Sequence, residues 1–182
     1  MKEKEIGFSG KLYLKKMPEE GEFKRVHAVL VIDDGRILLR YKNGEARTTG
    51  GRIEAGDRSL EETLRRELRE EINCEIDRCE YLGYLEAELS DIGEREVEYW
   101  ARMVARVSRI GEPKADSDRE NNWIYGRVLA PPEVAKEELT KAMPVGDTDK
   151  LVDYALKVAR EKEYFTELPS NEYETLNVEA HD

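Results

Sequence analysis

The stretch Gly50–Cys74, GGRIEAGDRSLEETLRRELREEINC, decides the reading of this chain. Its second half predicts a helix with explicit ends. Ser59 followed by Glu62 forms a capping box, in which each side chain can satisfy a backbone N–H of the first turn that has no intrahelical partner. Asn73 stands where the helix should end, and Asn is second only to Gly in the left-handed position that closes helices. Leu60, Leu64, Leu68 and Ile72 recur every four residues and give the helix an apolar stripe.

Glu67, Glu70 and Glu71 share one face of that helix and flank the leucine stripe instead of opposing it. On its own this placement is unfavourable. Like charges at such spacing cost roughly 0.2–0.5 kcal/mol per pair, and partial burial beside a core adds to the penalty. Three carboxylates turned toward the protein body point to a hard divalent cation with oxygen ligands. Upstream, Gly50, Gly51 and Gly56 permit a sharp turn and a close backbone approach, with carbonyls free to face a metal.

These residues resemble the Nudix box, G-x5-E-x7-R-E-U-x-E-E-x-G-U, where U is a bulky apolar residue. Gly51 matches the first Gly, and Arg66-Glu67-Leu68-Arg69-Glu70-Glu71 matches the R-E-U-x-E-E core. The resemblance implies the Nudix fold, an α/β architecture in which a mixed β-sheet is sandwiched between helices. It implies that Glu67, Glu70 and Glu71 hold magnesium, or manganese in its place, with help from the Gly51 carbonyl. Arg66 would orient a glutamate by ion pairing. This chain departs from the pattern in three places. The loop is one residue longer, so the early Glu is either represented by Asp57 or displaced by Arg58; Asn73 replaces the late Gly; Thr49 stands where many members carry Pro.

The activity implied is that of a pyrophosphohydrolase, the metal-dependent hydrolysis of a nucleoside diphosphate linked to another moiety. The alternative is a Nudix-fold domain that binds or senses a nucleotide with little turnover. Neither the substrate nor the general base is legible, although Glu70 within the box is a candidate base.

A chain of 182 residues suits one domain with a sizeable core. Charged residues make up 39% and the mean hydropathy is −0.75. No apolar run approaches a membrane span and the N-terminus lacks a signal-peptide core, so a cytoplasmic location is expected. The net charge of −11 argues against nucleic acid and anionic membranes as partners. It leaves room for a small nucleotide diphosphate, provided the site is locally positive or metal-loaded. Cys74 and Cys79 are the only cysteines and read as free thiols of a reducing compartment.

Lys11–Lys15 predicts a short peripheral strand, and Val26–Ile32 a central strand apolar on both faces. His27 within it is a base near substrate phosphates or, more commonly for such a position, a half-buried strand histidine. Asp33-Asp34-Gly35 predicts a hairpin turn into a partner strand, Arg36–Tyr41. The segment Gly35–Arg58 is locally basic. Arg40, Arg47 and Arg52 are candidates to hold a diphosphate by charge-assisted hydrogen bonds, with solvated loop charges as the equal alternative.

Glu80–Glu88 and Glu96–Val107 predict two further strands. Val97, Tyr99, Ala101, Met103, Ala105 and Val107 form the core face of the second. On its other face Glu96, Glu98 and Trp100 could line a cleft, Trp100 stacking on a base; the competing reading is an outer sheet face with cross-strand pairs, the one favoured for Glu96. In Nudix-like chains an acidic loop in the region of Gly111–Asn122 often supplies the last carboxylate, so the resemblance implies Glu120, with Asp118 behind it, as a base or a further metal ligand. An acidic surface loop is the competing reading. Trp123–Tyr125 starts a short strand, and helices are predicted over Pro131–Met143 and Asp149–Lys162. The Nudix domain is thus placed within residues 1–162. The acidic tail, 163–182, has the composition of a flexible segment. Its Tyr164, Phe165, Leu168, Tyr173 and Leu176 predict burial against the domain or against a second subunit in a homodimer.

Overall fold

The computed structural model describes residues 7–91, 94–144 and 147–182. The charged opening Met1–Ile6, and Gly146, read as following a helix end, lie outside them. Strand β1 (Gly7–Leu14) is followed by β2 (Phe23–Val31), β3 (Ile37–Lys42), β4 (Glu45–Arg47) and β5 (Thr49–Arg52). Helix α1 (Leu60–Ile72) leads into two long strands, β6 (Cys74–Asp91) and β7 (Glu94–Ile110). Then come β8 (Gly126–Ala130), α2 (Pro132–Ala142), α3 (Thr148–Glu161) and β9 (Glu174–Asn177).

The sheet order is β1-β6-β7-β2-β3-β8-β9, with β4 attached to β3 and β5 to β2. Strand β2 runs parallel to β7 and antiparallel to β3 and β5, so the sheet is mixed. The apolar run of β2 serves both faces. Val26, Ala28 and Leu30 pack with Leu64, Leu68 and Ile72 of α1. Val29 and Val31 pack on the opposite face with Leu139 of α2 and Leu151, Val152 and Ala155 of α3. Burying a side chain of this kind contributes about 1.5–3 kcal/mol, so the three leucine-stripe residues of α1 outweigh the repulsion among its glutamates.

Two glycines are required where β2 parts from β3. Strand β2 pairs with β3 only through Leu30 and Val31, while Arg25–Ala28 pair with β5. Gly50 has φ of 152°, and a Cβ there would lie 1.9 Å from the Val26 carbonyl oxygen. At Gly51 a Cβ would meet the Glu67 carboxylate at 2.4 Å. Bare backbone thus lets β5 lie on β2 and lets α1 lie on β5.

The ends of α1 follow the sequence with one change. Ser59 accepts from the Glu62 N–H, and Asn73 closes the helix at φ 49°. The Glu62 carboxylate, expected to return to the Ser59 N–H, accepts from the N–H of Arg58 instead. Val97, expected in the core, is 51% exposed near the turn end of β7. The strand expected at Trp123–Tyr125 is reduced to a single bridge between Ile124 and Ala180, and the strand proper is β8. No alternation marks β8, because all five of its residues are buried, Arg127 among them. That guanidinium donates to the carbonyls of Ile72 (2.9 Å) and Gly111 (2.8 Å), tying β8 to the end of α1.

Parts of the last twenty residues pack against the sheet and α3. Tyr164 and Phe165 are buried in the core cluster that includes α3. Strand β9 pairs with β8, and Asn177 holds Arg127 and the Tyr125 carbonyl. Leu168 and Tyr173, expected to be buried, stay exposed at 84% and 53%. No helix among the described residues is long and apolar enough to cross a membrane. Deleting Leu168–Asp182 removes a strand and the Arg127 partner, and should lower the melting temperature by about 5–10 °C without changing oligomeric state. A truncated chain that melts with the full one would show that the segment contributes nothing to the fold.

Candidate active site

The gap between β2 and β3 opens as a cleft of about 610 Å³, walled by β2, β3, β5 and the turn after it, α1 and the loop after β7. Glu67 and Glu71 line it from α1, and Asp116 and Asp118 from the loop. The cations are Arg25, Arg40, Lys42, Arg47, Arg52 and Arg119.

Arg66 organises the acidic side. One guanidinium nitrogen donates to Asp57 at 3.0 Å and to the Arg52 carbonyl at 2.9 Å. The other donates to Glu67 at 3.0 Å and to Glu70 at 3.1 Å, with Glu54 at 3.5 Å. Asp57 also accepts from the Thr63 hydroxyl and the Glu54 N–H. These donors, Arg66 first, hold its carboxyl well below the usual carboxylate range. Arg58 is an exposed side chain paired with Glu62. Asp57, the residue that could represent the early acid, is bound into the network, and Arg58 is not.

The three helix glutamates are all pushed up by burial. Glu67 and Glu70 are raised chiefly by desolvation, with Asp118 adding and Arg66 opposing. Glu71 is raised by burial to about 7, against the pull of Arg40. Arg40 donates to one Glu71 oxygen at 2.9 Å, and the other oxygen is buried with no hydrogen-bond partner. With Arg66 and Arg40 engaging them, the glutamates do not converge: among the described residues no set of three His, Cys, Asp or Glu forms a ready-made cage. The donor set nevertheless fits a hard divalent cation. It consists of carboxylate oxygens, one of them orphaned, beside a bare Gly51 backbone.

The sequence candidates sort unevenly. Arg40, Arg47, Arg52, Gly51, Glu67 and Glu71 line the cleft, and Glu70 joins them through Arg66. His27 also lines it, and burial together with Arg102, Arg40 and Arg25 keeps the imidazole neutral. Glu120 is exposed and does not line the cleft, whereas Asp118 does. Trp100 does not line it either. Its ring stacks on Phe8 at 5.3 Å and lies under the Arg25 guanidinium at 5.2 Å. Glu98, buried, accepts from Trp100 at 2.7 Å and faces both Arg25 and Arg52. The two residues lie one strand away from the cleft on β7, with Arg25 between Trp100 and the opening. Lys42 belongs to the basic run Gly35–Arg58, whereas Arg25 and Arg119 were not singled out by sequence, since no motif marks them and only the pairing of β2 and the path of the loop after β7 bring them to the cleft.

The NUDIX domain model matches residues 22–146, more than half of the chain, and the chain belongs to the Nudix hydrolase family. Among solved structures it is similar to the Bacillus subtilis pyrophosphohydrolase BsRppH, at 18% identity and a TM-score of 0.58, over 85% of this chain and 91% of that one. It is also similar to MutT from Aliivibrio salmonicida and Vibrio cholerae, at 15% identity and a TM-score of 0.49, over 73% of this chain and 94% of that one. No curated protein sequence matches it significantly. At these identities the likeness to solved structures is one of fold, a mixed sheet between helices.

The Glu71 environment has a pH signature. Between the ordinary value of 4.5 and about 7 the folded chain keeps a proton that the unfolded chain has lost. The folded state then binds more protons, so stability falls as pH rises through that window. In melts without divalent cation, wild type should lose ground to Glu71→Gln from pH 5 to 7 and level off above it. A pH-independent difference between the two would show Glu71 ionised throughout.

Proposed function

We propose that this protein is a magnesium-dependent hydrolase acting on the diphosphate linkage of a nucleoside diphosphate joined to a second moiety. The observation that carries this reading is the juxtaposition, across one cleft, of the α1 carboxylates with six cationic side chains. Glu67, Glu70, Glu71 and the Gly51 carbonyl would hold magnesium, or manganese in its place. A bound divalent cation supplies charge neutralisation at phosphate oxygens and a lowered pKa for water.

The chain's own residues do the rest. Arg40, Arg47 and Arg52 hold phosphate oxygens by charge-assisted hydrogen bonds and complement the charge that builds on the transferring group. Arg66 fixes Glu67 and Glu70 so that their oxygens are presented toward the cleft. A carboxylate takes the proton of the attacking water: Glu70 on α1, or Asp118, which replaces Glu120 as the loop candidate. Water is admitted because the cleft is open and polar.

A second reading, a nucleotide-binding domain without turnover, is favoured by the pairing of the glutamates with Arg66 and Arg40. Turnover of a nucleotide-diphosphate panel with magnesium separates the two. Glu70→Gln and Glu71→Gln should each lower kcat by about 100-fold or more, while the exposed Glu120→Gln stays near wild type. Circular dichroism should report an intact fold, since Leu64, Leu68 and Ile72 anchor α1. Near wild-type rates in both α1 variants would refute the assignment, and tight binding without hydrolysis in the parent would favour the second reading.

A further inference from the structure

Alternate residues of a strand share a face, and on β7 Arg102 shares one with Val104, which packs in the core beneath α2 and α3. Arg102 is only 4% exposed. Among the described residues its guanidinium makes no ion pair and no hydrogen bond, and its strand neighbours are His27 and Gly83. The charged groups that act on His27 are Arg102, Arg40 and Arg25, all cations. The Trp100 ring lies 5.9 Å from the Arg102 guanidinium, at the edge of cation–π range. Burial alone, with no acid pulling the other way, lowers Arg102 to about 10, so it is charged at neutral pH. A buried charge needs a compensating partner, and the protein places no carboxylate there.

Arg102 lines a cavity of about 30 Å³ between the sheet and helices α2 and α3. A second guanidinium, that of Arg47, reaches the same cavity, and among the described residues no Asp or Glu lines it. Most of the remaining wall is apolar, with Leu85, Leu139 and Leu151 in it. Arg47 is engaged elsewhere, with the Ala142 carbonyl at 3.1 Å and Glu45 at 2.5 Å, so the free charge is that of Arg102. Helix α3 begins at this cavity. Thr148 and Leu151, from its first turn, line it, and Asp147 supplies no side-chain cap. The positive end of a fourteen-residue helix therefore lies beside the unpaired guanidinium.

We infer that this cavity is a binding site for a monatomic anion of the halide class, chloride above all, which serves as the counter-ion of Arg102. Size decides the class. The cavity exceeds the roughly 10–15 Å³ that a single water needs, which suits one halide ion and is too small for a tetrahedral oxyanion. The wall suits a halide as well, because such an ion accepts from a guanidinium on one side and tolerates apolar contact on the others. A water molecule in the same place would leave the charge of Arg102 uncompensated. The site is separate from the cleft, with which it shares Arg47 alone among the described lining residues, and it does not depend on the hydrolase reading.

The test is a thermal melt of the full chain in sodium chloride, sodium bromide or sodium gluconate at matched ionic strength, gluconate being too large for the cavity. Chloride and bromide should each raise the melting temperature saturably above its value in gluconate, by about 3–6 °C at roughly tenfold excess over Kd. Arg102→Met replaces the charge with an apolar chain, and should still melt cooperatively while losing the halide response. Equal melts of wild type in the three salts, or a halide response that persists in Arg102→Met, overturn the inference. Wild-type crystals grown in bromide give a second measurement, which decides the matter if the variant does not fold. An anomalous bromide peak within hydrogen-bond distance of the Arg102 guanidinium upholds the site, and water alone at that position overturns it.

Discussion

The Arg66 guanidinium donates to Asp57, Glu67 and Glu70 and to the Arg52 carbonyl, and so joins α1 to the turn that follows β5. Without it, acids crowded along the helix and the turn would repel one another in a half-buried setting. Removing one partner from such a network costs about 3–5 kcal/mol, because the remaining charges stay desolvated. The network can form only because Gly51 leaves room for the Glu67 carboxylate and Gly50 lets β5 lie on β2. Leucine burial seats α1 on the sheet, but Arg66 decides which way its acidic face is presented.

This arrangement suits a site that exchanges partners. The glutamates are raised by burial yet occupied by arginines, and one Glu71 oxygen has no partner at all. A cation binding there would draw the separate carboxylates together, and the arginines it displaced would be free to turn to phosphate. The C-terminal segment steadies the far rim of the same cleft. Glu179 accepts from the N–H groups of Asn43 and Gly44, and Trp123, stacked on His181, lies beneath Lys42. A stretch whose composition reads as a solvated tail thus props the turn after β3.

Much of the fold was legible because it rests on periodicity and caps. The four-residue leucine repeat gave α1, Asn73 its end, the doubly apolar Val26–Ile32 the central strand, and proline with apolar spacing α2 and α3. The missed strands β4, β5, β8 and β9 are short, and their residues carry no alternation; β8 hides behind a buried Arg127 whose partners come from α1, β9 and the loop after β7. The site was legible where one helix face carries it, at Glu67, Glu70 and Glu71. It was not legible where tertiary pairing decides. Asp57 and Arg58 are adjacent in sequence, yet only one reaches Arg66. Asp118 and Glu120 lie in one loop, yet only one faces the cleft. Trp100 lies beside cleft strand β2 but packs behind Arg25.

The central claim is that α1 presents a cation site belonging to the folded chain, and a thermal melt in magnesium, manganese or sodium chloride at matched ionic strength tests it most directly. A cation bound only by the folded state at a hundredfold excess over Kd stabilises it by about 2.7 kcal/mol, or roughly 5–10 °C for a chain of this size. The predicted result is that rise with magnesium and manganese, absent with sodium and much reduced in Glu67→Gln. Equal melting temperatures in all three salts, in wild type and variant alike, would contradict it.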